Sequence, residues 1–248
     1  MDPVQLDRAL ALVRFLRKNC PWDAAQTPQS LLPYLLEESH EVSDAVVAGN
    51  DDELKSELGD LLLNVAFQIV LAEERNAFNA EDVVARLEEK MKRRHPHLYG
   101  QGPMQPWEEL KARERVEADQ TLLSGLASGL DPLSKAHRIQ ERVSTVGFDW
   151  ADARGAFAKV AEELEEVREA MAAEPSDALE EELGDLLFAV VNLTRLTGVH
   201  SLQALQRANQ KFTARFDALE KLARERGIEL GKASLEELDA LWDEIKRR

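Results

Sequence analysis

A chain of 248 residues, 44% hydrophobic and 31% charged, has material for two cored domains of about 100–150 residues each, and this excludes a disordered protein. Its 47 acidic against 31 basic side chains give a formal net charge of −16, which repels nucleic-acid backbone in the absence of a segregated basic patch, and the sequence has none of useful length. The single cysteine excludes an intrachain disulfide, and no apolar run reaches the roughly 18 residues of a membrane span, so a cytoplasmic protein without membrane or nucleic-acid partners is expected.

Glycine (12) and proline (9) are scarce while Ala, Leu, Glu, Arg and Lys abound, so the expected fold class is all-α. The first predicted helix runs from near Pro3 to about Lys18, with Leu6, Leu10 and Val13 at helical spacing, and the turn Cys20-Pro21-Trp22-Asp23 stops it. A second begins near Ser30, carries Leu32, Leu35 and Leu36 beside Glu38 and Glu41, and ends at the glycine signal Gly49-Asn50-Asp51. The third, from about Asp52 to Glu74, sets Glu57 and Asp60 among Leu54, Leu58, Leu61, Leu62 and Val65. A fourth, from about Asn79 to Arg94, stops before His95-Pro96-His97, and a further helix opens near Trp107.

The stretch from Thr121 to Pro132 is rich in small residues and reads as a linker. Beyond it the plan repeats. Gly147-Phe148-Asp149-Trp150 stands where Pro21-Trp22-Asp23 stood, an acidic helix spans about Arg154 to Ala172, Pro175-Ser176 breaks it, and helices over Asp177 to Leu196 and about Leu202 to Arg226 follow. The expected organisation is two tandem four-helix-bundle-like domains, 1–118 and 132–248, with a linker over 119–131.

The repeat is most regular in its acids. Residues 38 and 163 differ by 125, as do 41 and 166, 57 and 182, and 60 and 185, so Glu38, Glu41, Glu57 and Asp60 recur in register as Glu163, Glu166, Glu182 and Asp185. Carboxylates three residues apart on a helix point one way, and two antiparallel helices would turn two such pairs towards each other. That gathers four or more oxygens around a gap suited to one or two Mg²⁺ ions, with Mn²⁺ as a substitute. Solvated acids on one helix are ordinary, but they have no reason to keep register across a duplication. Leu164, Val167, Leu183, Leu186 and Leu187 are expected to place these charges at the edge of a core.

Cations repeat as well. Lys211 and Arg215 lie four apart on one helix, Lys90 and Arg94 reproduce them, and Trp242 with Lys246 matches Trp107 with Lys111. An indole can stack on a base while a lysine one turn on reaches a phosphate on the same side.

These segments resemble the MazG nucleoside triphosphate pyrophosphohydrolases in their two-domain form. The likeness lies in Leu36-Glu37-Glu38-Ser39-His40-Glu41 with Glu57-Leu58-Gly59-Asp60, their second copy Ala161-Glu162-Glu163-Leu164-Glu165-Glu166 with Glu182-Leu183-Gly184-Asp185, Cys20-Pro21-Trp22-Asp23, Arg94-His95-Pro96-His97, Gly147-Phe148-Asp149-Trp150, and Lys211-Phe212 through Arg215-Phe216. The resemblance implies an all-α homodimer that hydrolyses ribo- and deoxyribonucleoside triphosphates to monophosphate and pyrophosphate with Mg²⁺. A metal-activated water would attack the α-phosphorus, and no protein nucleophile is needed.

The resemblance further implies that the second copy carries the hydrolysis. One local difference agrees, since Lys159 stands where the first copy has Tyr34. The expected roles are then Glu163, Glu166, Glu182 and Asp185 as metal ligands, Glu162 as a water-orienting group, Lys159, Lys211, Arg215 and Lys246 on phosphates, and Trp242 on the base. Glu38, Glu41, Glu57 and Asp60 form a second candidate site. Rival readings are a narrower all-α pyrophosphohydrolase acting on dUTP or phosphoribosyl-ATP, and a non-catalytic helical interaction module. A di-iron bundle suggested by Glu37-x-x-His40 fails because Glu165 occupies the repeat position of His40.

Overall fold

The structure is a computed structural model that describes residues 4–100, 102–104, 110, 113–114, 120–172 and 177–247. Among these residues there is no strand, and ten α-helices divide between two compact units, Met1–Gln105 and Pro106–Arg248. The expected helix near Trp107 and the break at Pro175-Ser176 lie outside the described residues, as does Lys111.

The first unit contains α1 (Val4–Asn19), α2 (Pro21–Ala25), α3 (Leu32–Ala48), α4 (Asp51–Glu74) and α5 (Ala80–Arg94), followed by a 3₁₀ turn at Pro96–Tyr99. Local chemistry explains the boundaries. Gly49 adopts φ 67°, the left-handed conformation that glycine tolerates best, and its N–H closes α3 on the carbonyls of Ala45 and Val46. The Asn50 side chain then caps α4 by accepting from the Glu53 N–H. Asn79 and Asp82 form a reciprocal capping box that opens α5. The segment expected as a turn at Pro21 is instead the short helix α2, because proline at its first position has a helical φ and lacks only an N–H that would be unpaired there.

The core of this unit is made where α1 crosses the C-terminal half of α4. Leu10 and Val13 pack with Leu31, Ala66, Phe67, Ile69, Val70 and Leu71. One arginine closes the rim. The Arg17 guanidinium donates to both oxygens of Glu74 at 2.5 and 2.7 Å and to the carbonyl oxygens of Asp23 and Gln26 at 2.7 and 3.2 Å, so it joins α1 to α2 and α4 at once.

The second unit contains α6 (Pro132–Ser144), α7 (Ala153–Ala172), α8 (Asp177–Leu196), α9 (Ser201–Glu225) and α10 (Leu235–Arg247). Helix α6 was not expected. Its signals are ordinary ones, an Asp131 side chain accepting from the Ser134 N–H and Pro132 at the first position, but they sit against the small-residue stretch that reads as linker. Arg142 on α6 donates to the carbonyl oxygens of Leu122 and Ser124, which ties part of that stretch to the second unit.

The duplication continues beyond the acids, with one slip. The spacing of 125 ends at α8, which has 20 residues where α4 has 24. From there the spacing is 121, the difference between the starts of α5 (80) and α9 (201), and the same difference relates Lys90 to Lys211 and Arg94 to Arg215. At the far end α9 and α10 pack through Leu219, Leu222, Ala223 and Leu241, with Trp242 against this cluster.

Replacing Arg17 by methionine keeps the aliphatic stem and removes four hydrogen bonds, two to the exposed Glu74 carboxylate and two to partly buried carbonyl oxygens. The unfolding free energy in urea is expected to fall by about 1–2 kcal/mol. A loss under about 0.5 kcal/mol would show that the bridge carries no stability.

Candidate active site

Helices α7 and α8 are joined by only four residues and pack along one another, so they run antiparallel. Glu163 and Glu166 from α7 meet Glu182 from α8, with one oxygen of each carboxylate within 4.8 Å of the others. In the first unit Glu38 and Glu41 from α3 meet Glu57 from α4 in the same way. The fourth acid of each set, Asp185 or Asp60, is exposed and lies outside its trio.

Glu163 is the centre of the second trio. Its residue exposure is 4%, one oxygen lies 2.7 Å from the Lys159 ammonium, and the other, Oε2, is buried without a hydrogen-bond partner. Glu38 Oε2 is orphaned likewise at the equivalent place in the first unit. A carboxylate oxygen withdrawn from water and left without a donor is costly, and a cation supplies what these positions lack. Three hard oxygens and an orphaned lone pair fit a divalent metal of the Mg²⁺ or Mn²⁺ kind.

The electrostatics agree. Desolvation first, and then the closeness of Glu163, pushes the Glu166 carboxyl above the usual carboxylate range, with Lys159 opposing. Glu38 is raised by desolvation and then by Asp60 and Glu41, and Glu57 by desolvation and then by Glu41 and Asp60. Lys159 is held firmly protonated by hydrogen bonds to Glu162 and Glu163, at 2.7 Å each. Tyr34, at its position in the first unit, instead sets its ring edge-on to Trp22 at 6.3 Å. The first trio therefore has no ammonium at this position.

The remaining candidate residues are spread over other elements. Lys211 and Arg215 line a cleft of about 500 Å³ together with Lys221, Leu222 and Ile245. Lys246 pairs with Asp243 at 2.7 Å, and Trp242 packs on Phe212 with ring centroids 5.1 Å apart, so the indole holds α10 to α9. In the first unit Lys90 lines a cavity of about 860 Å³ with Phe78, Arg86 and Arg93. The hairpin differs from expectation in its apolar company. Val167 is buried, but Leu164, Leu183 and Leu187 are exposed, because nothing in the described chain covers that side of α7 and α8. No motif marks Gln140 of α6, which is only 3% exposed and keeps an orphaned Oε1.

Comparison with known proteins is consistent across the chain. The MazG nucleotide pyrophosphohydrolase domain matches it twice, over residues 26–99 and 154–219. The nucleoside triphosphate pyrophosphohydrolase/pyrophosphatase MazG of Thermotoga maritima is 44% identical over 232 residues, covering 92% of this chain and 90% of its own. The nucleoside triphosphate pyrophosphohydrolase of Escherichia coli K12 is 40% identical over 257 residues, 98% of each chain. The uncharacterised protein YabN of Bacillus subtilis is 38% identical over 246 residues, which is 95% of this chain and 50% of its own.

Crowded carboxyls with raised pKa values oppose folding once they ionise, and a bound divalent cation reverses that. Mg²⁺ is expected to raise the thermal midpoint at neutral pH, and the gain is expected to shrink as pH falls towards the ordinary value of 4.5 and protons replace the cation. A Mg²⁺ gain that stays constant over this range would show that the trios do not bind the ion.

Proposed function

The chain belongs to the MazG nucleotide pyrophosphohydrolase family, and we propose that its second unit hydrolyses nucleoside triphosphates, ribo and deoxyribo alike, to monophosphate and pyrophosphate with Mg²⁺. The observation that carries this is Glu163, buried between a lysine and two further carboxylates with one oxygen unpartnered. Water oxygen bonds to the α-phosphorus, the bond from that phosphorus to the α,β-bridging oxygen breaks, and pyrophosphate leaves with the electron pair. The bound Mg²⁺ supplies charge neutralisation at the phosphates and a more acidic water.

The protein's residues then divide the work. Glu163, Glu166 and Glu182 would hold the ion, with Asp185 as a further ligand. Glu162 orients the attacking water and takes up its proton at a carboxylate oxygen. Lys159, which pairs with Glu162 and Glu163, would turn its ammonium to the phosphates of a bound substrate. Lys211, Arg215 and Lys246 hold the outer phosphates, Lys246 by exchanging Asp243 for substrate. Because the exposed leucines of α7 and α8 need a cover, we take the enzyme to be a homodimer in which a second copy closes the site. The first unit would hold a cation without an ammonium at the Lys159 position, so we assign it to binding, regulation or assembly. The two family domains are taken as 1–118 and 132–248.

Glu163→Gln in the full chain is expected to lower kcat for pyrophosphate release on the order of 100-fold or more, while Glu38→Gln retains at least about half. Loss confined to Glu38→Gln would move the chemistry to the first unit. Measured over ATP, GTP, CTP, UTP and their deoxy forms, turnover is expected with all; turnover with dUTP alone would establish the narrow enzyme, and none with any would favour the interaction module.

A further inference from the structure

Helix α6 is docked through a polar seam. Only His137 and Gln140 among its residues are buried, while Leu133, Ala136, Ile139 and Val143 are half-buried. It packs on α8 and α9, and Gln140 Nε2 donates to the carbonyl oxygen of Phe188 at 2.8 Å. Gln140 also borders a cavity of about 410 Å³ that Phe148 and Trp150 line. From the last turn of α6, Arg142 anchors the carbonyls of Leu122 and Ser124. The corresponding helix of the first unit, α1, buries Leu10 and Val13 at the same three-residue spacing. A helix of 13 residues is marginal in water, so α6 stays in place only while its seam holds.

His137 is the titratable member of that seam. It is 8% exposed, and its ring stacks on His200 at the start of α9 with centroids 4.6 Å apart and planes 29° apart. Nδ1 of both rings is buried without a partner, as are Gln140 Oε1 and Ser201 Oγ beside them in the chain. A neutral imidazole tolerates this place better than a charged one, because an imidazolium donates from both ring nitrogens and a buried N–H without an acceptor is costly.

The charges around the ring add to the cost. Arg138 on α6, Arg195 on α8 and His200 on α9 all face it with positive or titratable groups. The acid that faces it is Glu141, with Oε1 at 3.5 Å from Nε2, and Arg138 takes the other oxygen of that carboxylate at 2.6 Å. Asp149 is spent on Arg195, and residues 121–130 bring no titratable side chain. Burial above all holds His137 below the ordinary imidazole value of 6.5; Glu141 opposes it, and His200, Arg138 and Arg195 reinforce it.

We infer that His137 and His200 form an acid-released latch, in which protonation within the stacked pair undocks α6 from α8 and α9 and loosens with it the stretch that Arg142 anchors. Undocking exposes the imidazole to water, so the open form takes up a proton that the docked form refuses. Docking is therefore fully favoured above the ordinary value of 6.5 and weakens as pH falls from there towards the lower value of the docked ring. One such histidine shifts the equilibrium towards the open form by up to about tenfold between about pH 7.5 and about pH 5.5. The first unit has no such latch at α1, where Leu10 and Val13 carry no proton. The latch is independent of triphosphate hydrolysis, and its test needs no substrate.

That test is amide hydrogen exchange of the full chain, read as protection factors, together with the titration of the His137 ring by NMR. Protection of α6 amides is expected to fall about threefold to tenfold between about pH 7.5 and about pH 5.5, while the C-terminal half of α4 stays within about twofold. His137→Leu, which copies the apolar contact of α1, is expected to make α6 protection independent of pH over that range. The His137 ring of the wild-type protein is expected to titrate below 6.5, a measurement that decides the matter even where His137→Leu does not fold. A ring that titrates at or above the ordinary value overturns the latch. So does a smaller fall at α6, a fall shared equally by α4, or a fall that persists in His137→Leu.

Discussion

A carboxylate taken out of water must be neutralised, and the second unit is arranged around that demand at Glu163. Two helices bring acids together around its buried side chain, and Lys159 compensates one of its oxygens while the other stays unpaired. The ammonium is a partial answer, since it cannot reach Oε2 and also serves Glu162. That leaves a demand for a second positive charge, which a metal carrying a polyphosphate would meet on both counts under the proposed function: the ion would satisfy the acids, and the phosphates would take the lysine. Binding then exchanges one set of ion pairs for another, with little net charge buried.

The same demand appears in the first unit with a different outcome. Glu38 repeats the orphaned oxygen, yet Tyr34 faces Trp22 where an ammonium would stand. Acids alone therefore do not distinguish the copies. The distinction lies in what accompanies them, and it extends to the wider architecture: Phe148, Asp149 and Trp150 line an open cavity in the second unit, while Pro21–Ala25 forms a helix in the first, tied down through Arg17.

Much of this was legible in the sequence, for identifiable reasons. Long amphipathic helices with Gly49, Asn50 and Asn79 at their ends announce themselves through periodicity and caps, and the acid repeat shows in the numbering alone. Helix α6 did not announce itself, because its capping Asp131 abuts a small-residue stretch that periodicity reads as linker. The packing of Trp242 on Phe212 was not legible, because spacing gives an indole's place on a helix and not its neighbours. The Gln140 cavity was invisible for a related reason: an orphaned acceptor is a property of three elements meeting, and no window of sequence contains it.

The two units also differ in burial. In the first, the C-terminal half of α4 is buried almost continuously from Asn64 to Ala72, and Arg17 seals the rim; in the second, α8 buries only Ala189 and Val191 among its described residues, while the paired leucines Leu58 and Leu62 of α4 and Leu183 and Leu187 of α8 are exposed alike. Duplicated helices of similar sequence would be expected to pack alike if packing were their only task. The less buried copy is the one that holds the lysine, the orphaned amide and the open aromatic cavity. The proposed placement of hydrolysis in the second unit accords with this difference, because a site that admits a metal and a triphosphate cannot also be filled with its own side chains.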